Sequence, residues 1–248
     1  MKLLLNENNF ETLAHQLTNG SKRFSIDAKL ELYSCKMIAE EKKQYGHFLQ
    51  DLGLSTEGSH TKSDRVRSRS PLKESHLNNE EKKLPLNSSQ TLCQSLKLEN
   101  VQPPCEDEIK RVSDKSTITP RDLFYLIGTL NSAFAPDYDF HKTKSTEFSG
   151  EPNFRVVERF ISDFCSIYVN RYNRIKNDIW LKMDKAINLN SCQIYSYRPD
   201  HKDDPYSTGC LASFNYFFHN RFLKRVFFFS IRVLNDPISE DSDDELNI

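Results

Sequence analysis

The acids best placed for chemistry are in Pro136-Asp137-Tyr138-Asp139-Phe140, just after a helical pattern. Two carboxylates two residues apart could share Mg²⁺ or a proton. The same spacing caps a turn by accepting backbone N–H groups, and the turn is the reading adopted for Asp137 and Asp139. Asp203-Asp204-Pro205 has no third ligand nearby and reads as a solvated loop before a strand. His141, His201 and His219 fall on loops without an evident partner and read as surface residues.

Signatures of catalysis fail in turn. Gly53 and Gly58 have the spacing of a phosphate loop, but Ser59 stands where its lysine must be. There is no G-x-S-x-G, no H-E-x-x-H, and no H-x-E with a cysteine pair. Cysteines 35, 93, 105, 165, 192 and 210 lie at least twelve residues apart, which excludes a C-x-x-C zinc or redox pair. No catalytic residue, metal site or cofactor is expected, and the chain reads as a binding protein rather than an enzyme.

Basic residues are more suggestive. Arg221, Lys224, Arg225 and Arg232 interleave with Phe and Tyr and have no acid close in sequence. Such a pattern can stack single-stranded nucleic acid and contact its phosphates. The rings are also wanted for packing on two faces of a hairpin, so direct nucleic-acid binding is the second reading and a basic rim for an acidic partner surface the first. The protein's own acidic tail is another candidate for that rim, on charge sign alone.

A third set of residues is regulatory. In Arg65-Val66-Arg67-Ser68-Arg69-Ser70-Pro71, Ser68 and Ser70 sit among arginines as basophilic or proline-directed kinases prefer, and each phosphate would add about −1.5 to −2 charge. Ser239 and Ser242 precede acids, as acidophilic kinases prefer.

The elements that must position these groups are set by composition. The 248 residues carry 34 Lys plus Arg against 35 Asp plus Glu, a net charge of −1, which excludes a chain built throughout as a polybasic binder. Hydrophobic residues are only 37% of the chain, yet there are 17 Phe and 10 Tyr, so a well-made core is diluted by other material. No aromatic residue occurs between Phe48 and Phe124. The expected organisation is residues 1–54 and 119–235 as two parts of one globular domain, 55–118 as a disordered phosphorylatable linker, and 236–248 as an acidic disordered tail. Neither a signal sequence nor a membrane-spanning segment is visible, and a soluble intracellular protein is expected.

Asn9 is expected to cap a helix on Phe10, Leu13, Ala14 and Leu17. Phe24 to Leu32 alternate as a strand or hairpin, whereas Met37 to Leu49 is open between helix and loop. Thr119-Pro120-Arg121-Asp122 supplies a capping hydroxyl, a proline at the first helical position and a first-turn acid. A helix capped by Asn153, with its apolar stripe on Val156, Val157, Phe160, Ile161, Phe164, Ile167 and Tyr168, and another over Ile175 to Ile187 follow, then strands at 192–197, 211–218 and 221–232, the last two turning at His219-Asn220. With that turn, Phe214, Tyr216 and Phe218 share a face with Leu223, Phe227 and Phe229, and Phe217, Phe222, Val226 and Phe228 take the other. A hairpin apolar on both faces needs cover on both. The expected fold is α+β, a mostly antiparallel sheet covered by helices on both faces.

Three boxes resemble the Maf-family repressors of RNA polymerase III. Leu123 to Asn131 with Pro136 to Phe140 is similar to the family's central box, and Ser213 to Phe218 with Leu223-Lys224-Arg225 and Phe228-Phe229-Ser230 to its C-terminal box. Met1 to Leu4 with Tyr33-Ser34-Cys35-Lys36-Met37 resembles its N-terminal box, and Ile194 to Tyr197 with Pro199-Asp200 and Asp204-Pro205 fits as well. Ala212 stands where the family usually has Trp, and His219 where Tyr is common. The resemblance implies a repressor that binds the clamp of RNA polymerase III and blocks its engagement with the initiation factor of Brf and TATA-binding protein. It implies kinases and a phosphatase acting on the linker in response to nutrients and stress, and shuttling between nucleus and cytoplasm. By the same analogy Ser68 and Ser70 are linker phosphosites, Arg65, Arg67 and Arg69 belong to an import signal, and Arg221, Lys224, Arg225, Asp137 and Asp139 are candidates for partner contact.

Overall fold

Strict alternation over Ser25–Ser34 makes a strand that buries Ile26, Ala28, Leu30 and Leu32 on one side. In the computed structural model, which describes residues 1–4, 9–54, 83–86, 117–199 and 209–234, this strand is β2 of a six-stranded sheet. The others are β1 (Lys2–Leu3), β5 (Phe148–Gly150), β6 (Gln193–Tyr197), β7 (Cys210–Asn220) and β8 (Arg225–Leu234). The order is β1-β2-β8-β7-β6-β5, and every pairing is antiparallel. β2 pairs with β8 from Ser25 opposite Leu234 to Ser34 opposite Arg225, so the two ends of the sequence share one sheet.

Helices cover both faces, as the two-sided apolar pattern of β7 and β8 requires. On one face α1 (Phe10–Thr18), α4 (Phe154–Tyr168) and α5 (Lys176–Ile187) enclose Phe214, Tyr216, Phe218, Phe227 and Phe229. On the other, α3 (Pro120–Phe134) lays Leu123, Leu126, Leu130 and Phe134 over Phe217, Val226 and Phe228. The segment left open in sequence is a helix, α2 (Ala39–Asp51), leaning on α3 through Tyr45 and Phe48 against Phe124 at 5.2 and 5.5 Å between ring centroids.

Local signals set several boundaries. Thr119 Oγ1 accepts the Asp122 N–H at 3.1 Å ahead of Pro120, and Asn153 Oδ1 accepts the Val156 N–H at 3.0 Å. Asn9 departs from expectation: it adopts φ 52° and its side chain makes no cap bond, although the helix starts where expected. Val156 and Ile167, expected on the apolar stripe of α4, are exposed. Part of the stretch read as linker is folded. β3 (Leu84–Pro85) pairs with β4 (Thr117–Ile118), and Leu86 and Ile118 are buried under α3's side of the sheet.

The β7–β8 turn lies two residues beyond its expected place. It is Arg221-Phe222-Leu223-Lys224, with Lys224 at φ 53°, and Asn220 pairs with Arg225 inside the ladder. Asn220 is occupied by tertiary bonds, its Nδ2 donating to Ile187 O at 2.8 Å and its Oδ1 accepting the Leu223 N–H at 3.0 Å. Phe222 and Leu223 are therefore on neither face of the sheet; both are exposed at the tip, Phe222 to 89%.

Candidate functional site

Chain geometry gathers charge at one end of the sheet. The start of α3, the segment after β2 and the β7–β8 turn converge on a cleft of about 400 Å³. Its cations come from three places: Lys36 and Lys42 around α2, Arg121 at the start of α3, and Arg221 and Lys224 in the turn. Among the described residues, the one acid in the lining is Asp122.

Asp122 is buried, and its Oδ2 bonds the Arg221 guanidinium. Its Oδ1 lies 3.2 Å from Nδ1 of His219, itself only 2% exposed. Burial raises the carboxyl's pKa, but contacts with His219 and Arg221 outweigh it and hold the group at about 2. The Tyr195 hydroxyl sits 3.5 Å from Asp122 Oδ2, and the Tyr125 ring meets His219 edge-on at 5.8 Å. The ionised carboxylate thus ties the first turn of α3 to the hairpin and fixes the guanidinium of Arg221 at the cleft. The backbone adds a tie, Cys35 N–H donating to Lys224 O at 2.8 Å. Burial pushes the Cys35 thiol up to about 12, so no thiolate nucleophile lines the cleft at neutral pH.

Of the residues expected to meet a partner, Arg221 and Lys224 line this cleft. Arg225 turns elsewhere, its Nη1 donating to Ala186 O at 3.0 Å. Asp137 and Asp139 follow α3's far end, about 20 Å along a 15-residue helix from Asp122. They are not part of the cluster. Asp139 does what a turn acid does, accepting the His141 N–H at 2.9 Å and bonding the His141 ring, so His141 has a partner after all. Two basic residues read as lacking acids have them: Arg221 has Asp122, and Arg232 Nη1 lies 3.8 Å from Asp27. His219, read as a surface residue, is buried. Ser68, Ser70, Ser239, Ser242, Arg65, Arg67, Arg69, His201, Asp203 and Asp204 lie outside the described residues. Among the described residues, no group of three or more His, Cys, Asp and Glu could hold a metal ion, and no helix is long and apolar enough to cross a membrane.

Sequence reasoning missed Asp122, His219, Lys36, Lys42 and Arg121 as a set. Asp122 carried a signal for helix capping and Lys36 belonged to a box, but nothing local joins them.

Known proteins resemble the chain in sequence and in fold. The model of the family described as Maf1 regulator matches residues 26–230. A Dictyostelium discoideum protein named repressor of RNA polymerase III transcription is 36% identical over 130 residues, covering 50% of this chain and 46% of that protein. A Schizosaccharomyces pombe protein named repressor of RNA polymerase III transcription maf1 is 37% identical over 121 residues, 48% of this chain and 50% of that one. The match thus spans about half the length of these relatives. The crystal structure of citrus MAF1 in space group C 2 2 21 superposes with a TM-score of 0.52 at 20% identity, over 91% of this chain and 98% of that one, a likeness of fold.

Proposed function

The chain belongs to the Maf1 regulator family, and on that premise we propose that it is a non-enzymatic repressor of RNA polymerase III transcription that acts by binding the polymerase. Occupancy is the mechanism: with this protein on the clamp, the initiation factor of Brf and TATA-binding protein cannot engage. Phosphates added to the 55–118 linker by nutrient- and stress-responsive kinases reverse its local charge and weaken binding, and a phosphatase restores it as the protein shuttles between cytoplasm and nucleus.

The observation that carries this reading is the tip of the β7–β8 hairpin. Phe222 is 89% exposed and stands between Arg221 and Leu223-Lys224. A large ring held in water on a rigid hairpin and rimmed by cations is suited to fill a pocket on an acidic protein surface. Single-stranded nucleic acid is supported less well. A stacking track needs successive exposed rings, and Phe222 is the one mostly exposed aromatic among the described residues.

Pull-down of purified RNA polymerase III tests both parts. Phe222→Ala is expected to weaken capture by about 30-fold, the scale of an aromatic hot spot, while changing stability by less than about 0.5 kcal/mol. Ser68→Glu/Ser70→Glu is expected to lose capture. Equal capture by that variant would discard these serines as the switch, and no capture by the folded unmodified chain would overturn the repressor reading.

A further inference from the structure

The cleft holds more positive charge than the fold uses. Asp122 is committed to Arg221 and His219, and among the described residues no other acid lines the cleft beside Lys36, Lys42, Arg121 and Lys224. Glu41, next to Lys42, is itself engaged by the Met1 ammonium at 2.9 Å. Like charges converging on one concavity repel, and an anion is the cheapest relief. One further feature points the same way: the cleft opens at the N-terminal end of the 15-residue α3, where the helix dipole favours negative charge.

We propose that this cleft is a binding site for a free, compact polyphosphate. A volume of about 400 Å³ is in the range of small-ligand sites and exceeds what one phosphate fills. Arg121 and Arg221 offer planar forks for phosphate oxygens, the lysines point charges, and the Tyr125 hydroxyl a neutral donor.

Calorimetric titration of the full unphosphorylated chain with inorganic tripolyphosphate, at about 0.15 M salt, tests the site without polymerase, so its failure leaves the repressor reading untouched. Saturable one-to-one binding is expected, at least about tenfold tighter than that of inorganic phosphate. Lys36→Ala/Lys42→Ala should weaken it by about tenfold or more, while the remote Lys22→Ala/Arg23→Ala, just ahead of the end of β2 that pairs with Leu234, should leave it within about twofold. Lys36 and Lys42 are exposed, and an unchanged urea midpoint confirms that the variant folds. Absence of binding, or equal losses in the two double variants, would mean an adventitious ion only and overturn the site. Tightening on removal of residues 236–248 would overturn the free ligand in favour of the tail.

Discussion

Phe228→Ala is expected to lower the free energy of unfolding by about 3–5 kcal/mol. Phe228 is fully buried on β8, the strand that pairs with β2 on one side and β7 on the other. Its ring lies 4.9 Å from that of Phe217, its direct cross-strand neighbour, and 5.8 Å edge-on from Phe134 of α3. It is therefore the point where the central hairpin meets the covering helix. Phe227 and Phe229 face the other core and cannot swing into the void, so little of the cavity closes. Aromatic pairing adds about 0.5–1.5 kcal/mol per pair to the loss of burial. Domains of this size have a net stability of only about 5–15 kcal/mol, so the variant should be near the limit of folding. Urea unfolding followed by the fluorescence of Trp180, the single tryptophan and a buried one, reads this directly. A loss under about 1 kcal/mol would show that the α3 side of the sheet repacks freely and is no second core.

The two cores were largely legible because their signals are local. A period of two over β2, Pro120 and the capping hydroxyl of Thr119, and Asn153 before an apolar stripe each act within a few residues. The two-faced pattern of β7 and β8 was enough to demand helices on both sides. Errors arose where a polar residue served a distant partner. His219-Asn220 looks like a turn in isolation, yet Asn220 reaches Ile187 and His219 reaches Asp122, so the ladder continues and the turn moves on by two. That displacement also expelled Phe222 and Leu223 from the faces assigned to them, turning presumed core residues into the exposed tip.

The cleft was illegible for the same reason. Its central pair, Asp122 and Arg221, is separated by 99 residues, and Lys36 enters from the far side of the linker. Neither charge count nor spacing reveals that a first-turn acid will be buried against a hairpin. Leu86 and Ile118 show the same limit in apolar form: each is short of aromatic neighbours in sequence, and each is packed beside α3 by tertiary contact.

Asp122→Ala should cost about 3 kcal/mol at neutral pH, the low end of what breaking a buried ion pair costs. The low end applies because Arg221 is 45% exposed and recovers part of its hydration, whereas His219 does not. The pH dependence identifies the charge as the cause. The folded carboxyl titrates at about 2, below its ordinary 3.8, so its contribution is fully present above about 4 and is lost as pH falls through 2. That shift corresponds to something on the order of 2 kcal/mol. The difference between the native chain and the variant, measured by urea unfolding, should accordingly shrink as pH falls below about 4. A difference that stayed constant down to pH 2 would mean that only packing had been removed. Polymerase capture carries the consequence into function. Without Asp122 the guanidinium of Arg221 loses its fixed partner, and the turn bearing Phe222 loses its tie to α3, so capture should fall by about tenfold even where the protein remains folded. Unimpaired capture by folded Asp122→Ala would separate the hairpin tip from the buried pair and leave the pair a purely structural role.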